Sequence, residues 1–366
     1  MRLSDYVADF IADLGITHVF GVVGGGAMYL NDSFGHHERF KYVACNHEQA
    51  AAMAAESYAR ICGIGCVLVT SGPGGTNAIT GIACAWVDST PLIAISGQVT
   101  RDQLIADTGL RQFGVQETDI VTLVKSITKH AVTIKDEKDI RYELEKAAYI
   151  ANSGRPGPVW IDIPLDIQSK QIDPDLLRGY IQPDRVEKDW RTTALHCLSM
   201  LRQSKRPVLI IGNGVRLAGA QHEIRELIGA LGIPVISSWS AADMIADGPC
   251  HIGHMGLFGD RASNYAAQNA DLLLIMGCRM SVPMIGYSFP KFAPTAKIIM
   301  VDIDSAEMNK PSLRVDLKIE CDAKKFARTL LETQADGLGD REEWRWQCEI
   351  WRDKYPVVLP EYAEQK

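Results

Sequence analysis

Glu48 is the first residue whose type and place invite chemistry. It opens the stretch "EQAAAMAAESYAR" (48–60), an acid followed almost at once by small and apolar residues. A carboxylate there can ligate a metal, exchange a proton with a bound group, or stabilise a helix start. The zinc signature H-E-x-x-H is rejected, because its second histidine would fall at position 51, which is Ala51. The local alternative makes Asn46 the N-cap, with Gln49 at N3 in a variant capping box and Glu48 a first-turn acid favoured by the helix dipole. Glycine turns come next. "GVVGGGAMYL" (21–30), "SGPGGTN" (71–77) and "GNGVRLAGA" (212–220) each follow an apolar run and precede a helical pattern. Such turns aim backbone N–H groups at a ligand, and three at the same ends of parallel strands point to a cofactor across that edge. Asp302 and Asp304 end a strand, where acids meet a ribose or face solvent. His36, His37, His251 and His254 have no matching carboxylate or cysteine cluster, so they are read as polar loop residues and no metal ligands are assigned.

The elements that must position these residues follow from two periods. Val7, Phe10, Ile11 and Leu14 mark one face of a first helix. Short apolar runs at 18–23, 42–45, 66–70, 91–97, 131–134 and 158–164 read as strands separated by helices, which implies a parallel sheet covered on both faces. Residues 166–189 carry prolines and many charges and read as a linker. A second block has strands at 206–214, 233–238, 270–277, 297–304 and 315–321 and helices around 191–203, 219–231, 261–268 and 323–334. The predicted fold class is therefore α/β, two doubly wound parallel-sheet domains at 1–165 and 190–335. Residues 336–366 have room for one helix of roughly ten residues and no further domain.

Composition narrows the function classes. The chain of 366 residues has 46% hydrophobic and 23% charged residues and a net charge of -7. It has no basic stripe for nucleic acid, no polybasic patch for a membrane, and no apolar run near the ~20 residues that span a bilayer. The nine cysteines include no CxxC pair and read as reduced thiols, mostly buried, of a cytoplasmic protein.

Taken together, "FGVVGGGAM", "NHEQAAAMAAESYAR", "VTSGPGGTNAITGIACAWVDSTPLIAISGQV", "FGVQETDI", "GRPGPVWIDIP", "RPVLIIGNGV", "GDRASNYAAQNADLLLIMGCR" and "VDIDSAEMNK" resemble the thiamine diphosphate enzymes of the acetolactate synthase and pyruvate oxidase group. The resemblance covers nearly the whole chain. It implies a flavodoxin-like pyrimidine-binding domain and a Rossmann-like central domain that in some members carries FAD. The family's third domain binds the diphosphate and Mg2+ through Gly-Asp-Gly, a tripeptide that these 366 residues do not contain. The expectation is therefore the N-terminal two-thirds of such an enzyme, or half of a split one, inactive by itself.

By the same resemblance Glu48 is the activating carboxylate. Bonded to the pyrimidine ring nitrogen, it favours the imino tautomer whose nitrogen takes the proton from the thiazolium carbon. Gln116 matches a glutamine that reaches the active site near the substrate. Val22, Gly24 and Gly25 match the loop over the cofactor, and Pro73 and Asn77 match positions lining it. Gly212, Gly214, Val215, Arg279, Asp302, Asp304 and Asp322 stand where flavin contacts are expected. The implied reaction is decarboxylation of a 2-oxo acid, pyruvate in the simplest case, and transfer of the remaining fragment to a second carbonyl. The implied assembly is a homodimer or homotetramer. A simple decarboxylase, an FAD-linked oxidase and a non-catalytic nucleotide-binding subunit are the alternatives. Three departures bear on the acceptor. Val22-Val23 replaces a tyrosine-proline pair, Val115 a phenylalanine, and Phe258 a histidine that lies along the flavin. A smaller Val115 would admit an acceptor bulkier than pyruvate, and "GGGAM" with "LNDS" also resembles homologues that extend keto-sugars.

Overall fold

Apolar runs become strands buried on both faces. In the computed structural model, which describes residues 1–105, 108–184, 188–245, 248–333 and 341–364, the chain divides into two units, Met1–Arg185 and Val186–Lys366. The first holds β1 (His18–Gly21), β2 (Lys41–Ala44), β3 (Gly65–Val69), β4 (Leu92–Gln98), β5 (His130–Thr133) and β6 (Pro158–Pro164). They form one parallel sheet in the order β2-β1-β3-β4-β6-β5. Every residue of β3, β4 and β6 is buried, whereas edge strands β2 and β5 are only partly covered. Helices α1 (Leu3–Asp13), α2 (Met28–His36), α3 (Glu48–Cys62) and α4 (Pro73–Val87) belong to this unit. The predicted face of α1 is the one that packs: Val7 and Ile11 are fully buried, and Phe10 and Leu14 lie against the same core.

The segment expected as a linker stays with the first sheet over its first half. A short helix, Leu165–Gln168, follows β6, and Ile167, Ile172 and Leu177 join the core of this unit. Gln171 bridges Arg2, and Leu3 N–H donates to Lys170 O at 2.8 Å. The apolar residues at 167, 172 and 177 are spaced too irregularly to mark an element, yet each finds a place on the sheet.

The second unit holds β7 (Pro207–Ile211), β8 (Val235–Ser237), β9 (His251–His254), β10 (Leu272–Met276), β11 (Lys297–Asp302) and β12 (Leu317–Glu320). Its parallel order is β12-β11-β10-β7-β8-β9. Here the reading of His251 and His254 as loop residues is corrected: they begin and end the edge strand β9, whose pairing with β8 shifts register between Val235 and Ile236. The C-terminal stretch forms helix Glu342–Lys354, which buries Trp344 and Cys348 in this unit's core and donates Trp344 Nε1–H to Pro207 O at 3.1 Å. Cys66, Cys197, Cys278, Cys321 and Cys348 are buried free thiols, Cys62 is exposed, and burial pushes Cys278 and Cys321 up to about 11. Among the described residues no helix is long and apolar enough to cross a membrane, and no cluster of His, Cys, Asp and Glu could hold a metal ion.

Candidate active site

Helices α3 and α4 explain why the stretch after Glu48 is alanine-rich. Ala51, Ala52, Ala55 and Ala59 are buried on one face, and a Cβ added at Gly81 of α4 would come 2.5 Å from Ala52 Cβ. Only small residues let two helix backbones approach so closely. The approach brings the first turn of α3 beside α4, and Asn77 Nδ2–H donates to Glu48 Oε2 at 3.0 Å. Glu48 is 9% exposed although it opens its helix. Asn77 is its one side-chain partner among the described residues, so Oε1 remains available to a ligand. The expected cap is corrected by one residue. His47, not Asn46, is the N-cap, and its Nδ1 accepts from Gln49 N–H at 3.1 Å. A ring nitrogen replaces the amide oxygen, and Glu48 becomes the first helical residue.

The glycine turns lie where the sheet reverses direction. Chain order runs outward from β1 to β2 and then resumes at β3 on the other side of β1, so the carboxyl ends of β1 and β3 flank a topological switch point. The turn after β1 rests on the end of β3. A Cβ at Gly24 would meet Thr70 Cβ at 2.6 Å, one at Gly26 would meet Ser71 Oγ at 2.6 Å, and Gly26 N–H donates to Thr70 Oγ1 at 3.1 Å. Gly25, by contrast, has nothing within 4 Å of its Cβ position, and Val22 is half-buried. Pro73 starts α4 at its first turn, where a missing N–H costs nothing. A Cβ at Gly74 would stand 3.7 Å from Glu48 Oε1.

Gln116 joins this group through backbone contact. A Cβ at Gly72 would fall 1.8 Å from Gln116 O, so the turn carrying Gln116 lies directly against the start of α4. Gln116 itself has φ +57 and is exposed. A left-handed glutamine is uncommon and costs of order 1 kcal/mol or more, so the surrounding structure must enforce it. These contacts gather Glu48, Asn77, Pro73, Gly24, Gly25 and Gln116 around one end of the first sheet.

The second unit repeats the arrangement at the β7/β10 switch point. A Cβ at Gly212 would meet Gly277 O at 2.3 Å, and Gly214 N–H donates to Gly277 O at 2.9 Å. Gly212 and Gly214 thus form the tight turn expected of a nucleotide-binding edge. The other expected flavin contacts divide. Val215 is fully buried in the core, while Arg279 is exposed. Asp302 Oδ1 accepts from Asp304 N–H, Asp304 caps the helix Ser305–Asn309, and Asp322 caps Ala323–Glu332 through Lys325 N–H at 3.0 Å. Asp304 and Asp322 thus already have local helix-start duties.

The sequence reading assigned no role to Asp162, Gln98 or Glu117. Asp162 lies in β6 with 1% of its surface exposed. It accepts from Ser96 Oγ–H at 2.6 Å and Thr133 Oγ1–H at 3.0 Å, and Trp160 Nε1–H donates to Ser96 Oγ at 2.8 Å. Desolvation dominates these bonds and, with repulsion from Asp119, pushes the carboxyl from 3.8 up to about 7. A charged residue inside the apolar run "PVWIDIP" was the available signal. The sign follows from linkage. The folded form holds a proton that the unfolded chain releases near pH 4, so this contribution is full below pH 4 and is lost as pH rises to about 7. At about 1.4 kcal/mol per unit the loss reaches roughly 4 kcal/mol. Asp162→Asn is expected to flatten that component of the pH dependence. Urea unfolding of both proteins at pH 5 and pH 7.5 checks it, and equal slopes would refute the assignment.

Comparison with known proteins accords with this geometry. The family model "Thiamine pyrophosphate enzyme, N-terminal TPP binding domain" matches residues 1–123, and "Thiamine pyrophosphate enzyme, central domain" matches residues 195–330. The chain is 33% identical to acetolactate synthase isozyme 2 large subunit of Escherichia coli (strain K12), with 100% of this chain and 67% of that protein covered. It is 38% identical to the probable acetolactate synthase large subunit of Methanocaldococcus jannaschii, over 94% of this chain and 58% of the other. It is 35% identical to chloroplastic acetolactate synthase 2 of Nicotiana tabacum, over 99% and 56%. The chain thus spans between 56% and 67% of the length of these relatives. Both family models in order, a relative covered over two thirds of its length, and two doubly wound sheets lead to one assignment: the chain, similar over nearly its whole length to proteins named acetolactate synthase large subunit, belongs to the thiamine pyrophosphate enzyme family.

Proposed function

We propose that this chain supplies the pyrimidine-binding half of the active site of a thiamine diphosphate-dependent carboligase acting on a 2-oxo acid, with pyruvate the simplest donor and pyruvate or a keto-sugar the acceptor. The observation that carries the reading is the pairing of a buried Glu48 with Asn77 beside open glycine backbone. These residues fit an aminopyrimidine ring. Glu48 Oε1 is free to share a proton with the ring nitrogen, Asn77 holds Oε2, and Gly25 leaves space where a side chain would intrude. The cofactor, when bound, supplies a carbanion centre for decarboxylation and carbon–carbon bond formation. Glu48 exchanges a proton with the pyrimidine nitrogen, and its burial keeps competing water from the exchange. Asn77 orients the carboxylate. Gln116 offers a carboxamide to the substrate's oxygens.

Finer points of the reading concern the second unit and the assembly. The Gly212–Gly214 turn against Gly277 supports a nucleotide such as FAD at that edge, Mg2+ would accompany the diphosphate, the free, largely buried thiols fit the cytoplasm, and the family resemblance implies a homodimer or homotetramer. Incubation of the holoenzyme with pyruvate, alone and with a keto-sugar, tests the reaction through its products. Acetolactate or a branched sugar supports it; acetaldehyde alone would mark a simple decarboxylase, and a flavin that bleaches during turnover an oxidase. A purified protein without flavin absorbance would remove FAD, and a monomer in sedimentation would remove the assembly.

A further inference from the structure

Gln116 occupies a strained backbone, and the residue after it enforces the strain. The turn runs from Gly114 to Glu117, with Glu117 N–H donating to Gly114 O at 3.2 Å. Its third residue, Gln116, has φ +57, a conformation that turns of this kind normally assign to Gly or Asn. Glu117 is 4% exposed and has no basic partner among the described residues. Its carboxylate instead accepts three backbone amides. Phe113 N–H and Gly114 N–H donate to Oε2, each at 3.1 Å, and Ile105 N–H donates to Oε1. Its own carbonyl takes Gln112 Nε2–H at 3.2 Å. A second tie lies one residue on, where Gln98 Nε2–H donates to Thr118 O at 3.1 Å. A buried carboxylate without such donors would be strongly disfavoured, so this fan of amides and the carboxylate require each other.

We propose that Glu117 is the positioning residue for Gln116, its carboxylate gathering the amides of Ile105, Phe113 and Gly114 and so locking the turn that holds Gln116 left-handed against Gly72. The inference rests on the carboligase reading for the role of Gln116, but not for the geometry of the turn. Among the described residues no other side chain bonds both Ile105 and the turn itself. Gly114 is buried against Val99, where a Cβ would lie 2.8 Å from a methyl carbon, so the turn cannot slide inward. Gly72 blocks it on the side of α4. Releasing the carboxylate therefore lets the turn relax outward and takes the Gln116 carboxamide with it.

Glu117→Gln tests this. The substitution keeps size but places an NH2 among backbone donors, so hydrogen bonding fails on one side. Amide hydrogen exchange on the holoenzyme should quicken at least tenfold at Phe113 and Gly114, with exchange in β3 and β4 unchanged. Turnover of pyruvate should fall at least tenfold. In a Gln116→Ala background the same change should cost less than threefold, because its effect acts through Gln116. Unchanged exchange at Phe113 and Gly114 would overturn the proposal. So would an equal loss of turnover with and without Gln116, which is the mark of a merely structural role. If the parent enzyme turns over no 2-oxo acid, the carboligase reading falls, and the exchange result alone decides whether Glu117 holds the turn.

Discussion

Glu48→Gln is expected to lower pyruvate turnover by roughly two to four orders of magnitude, the range lost when a positioned proton-transfer group is removed. The side chain keeps its length, and its carboxamide oxygen can still accept from Asn77 Nδ2–H. The packing of Ala51, Ala52, Ala55 and Ala59 does not involve the carboxylate, so the first unit should unfold at an unchanged denaturant midpoint. What the amide cannot do is exchange a proton with a ring nitrogen. Steady-state rates, with circular dichroism and cofactor titration as controls, check the result. Turnover within tenfold of the parent, in a protein that still binds the cofactor, would remove Glu48 from the proton path. Asn77→Ala should show a milder form of the same defect, because it frees the carboxylate without removing it.

Gly72→Ala is expected to be the most damaging single methyl in the first unit. Gly72 has φ +52 and ψ -110, a combination closed to residues with a Cβ. The added carbon would also stand 1.8 Å from Gln116 O, a backbone atom that cannot swing aside. Strain of about 1–3 kcal/mol from the backbone and a similar amount from overpacking give a loss of about 2–6 kcal/mol. Urea denaturation should show the fall, together with faster exchange in the 114–117 turn. A loss under 1 kcal/mol would mean that the turn yields easily, which would also weaken the argument for Glu117. Gly25→Ala is the contrast. Its Cβ meets nothing within 4 Å, so stability should hold while cofactor binding suffers.

Much of the fold was legible because its signals are local. Strands such as "PVLII" and "LLLIM" are covered on both faces and therefore apolar throughout. Strand β9, "HIGH", was missed for the converse reason: an edge strand paired on one side and rich in polar atoms carries no such run. The N-cap moved from Asn46 to His47 because several side chains can accept the same amide. Asp304 and Asp322 illustrate a different difficulty. An acid after a strand suits a ribose and a helix start equally, and spacing does not separate the two.

The candidate site divides along the same line. By itself the sequence determined the family motifs, the succession of the fully buried strands and the identity of Glu48, Gln116 and the glycine turns, all of which are properties of residue type and short-range order. Only the tertiary structure decided which of them meet. Asn77 reaches Glu48 because Gly81 and Ala52 let α3 and α4 approach, a contact between residues 29 apart in the chain. Glu117 draws the amides of Ile105 and Gly114 onto one carboxylate, and Asp162 is isolated from water by strands on both sides. Hydrogen-bond direction and desolvation depend on how the chain crosses itself, and no local period in the residues encodes that crossing.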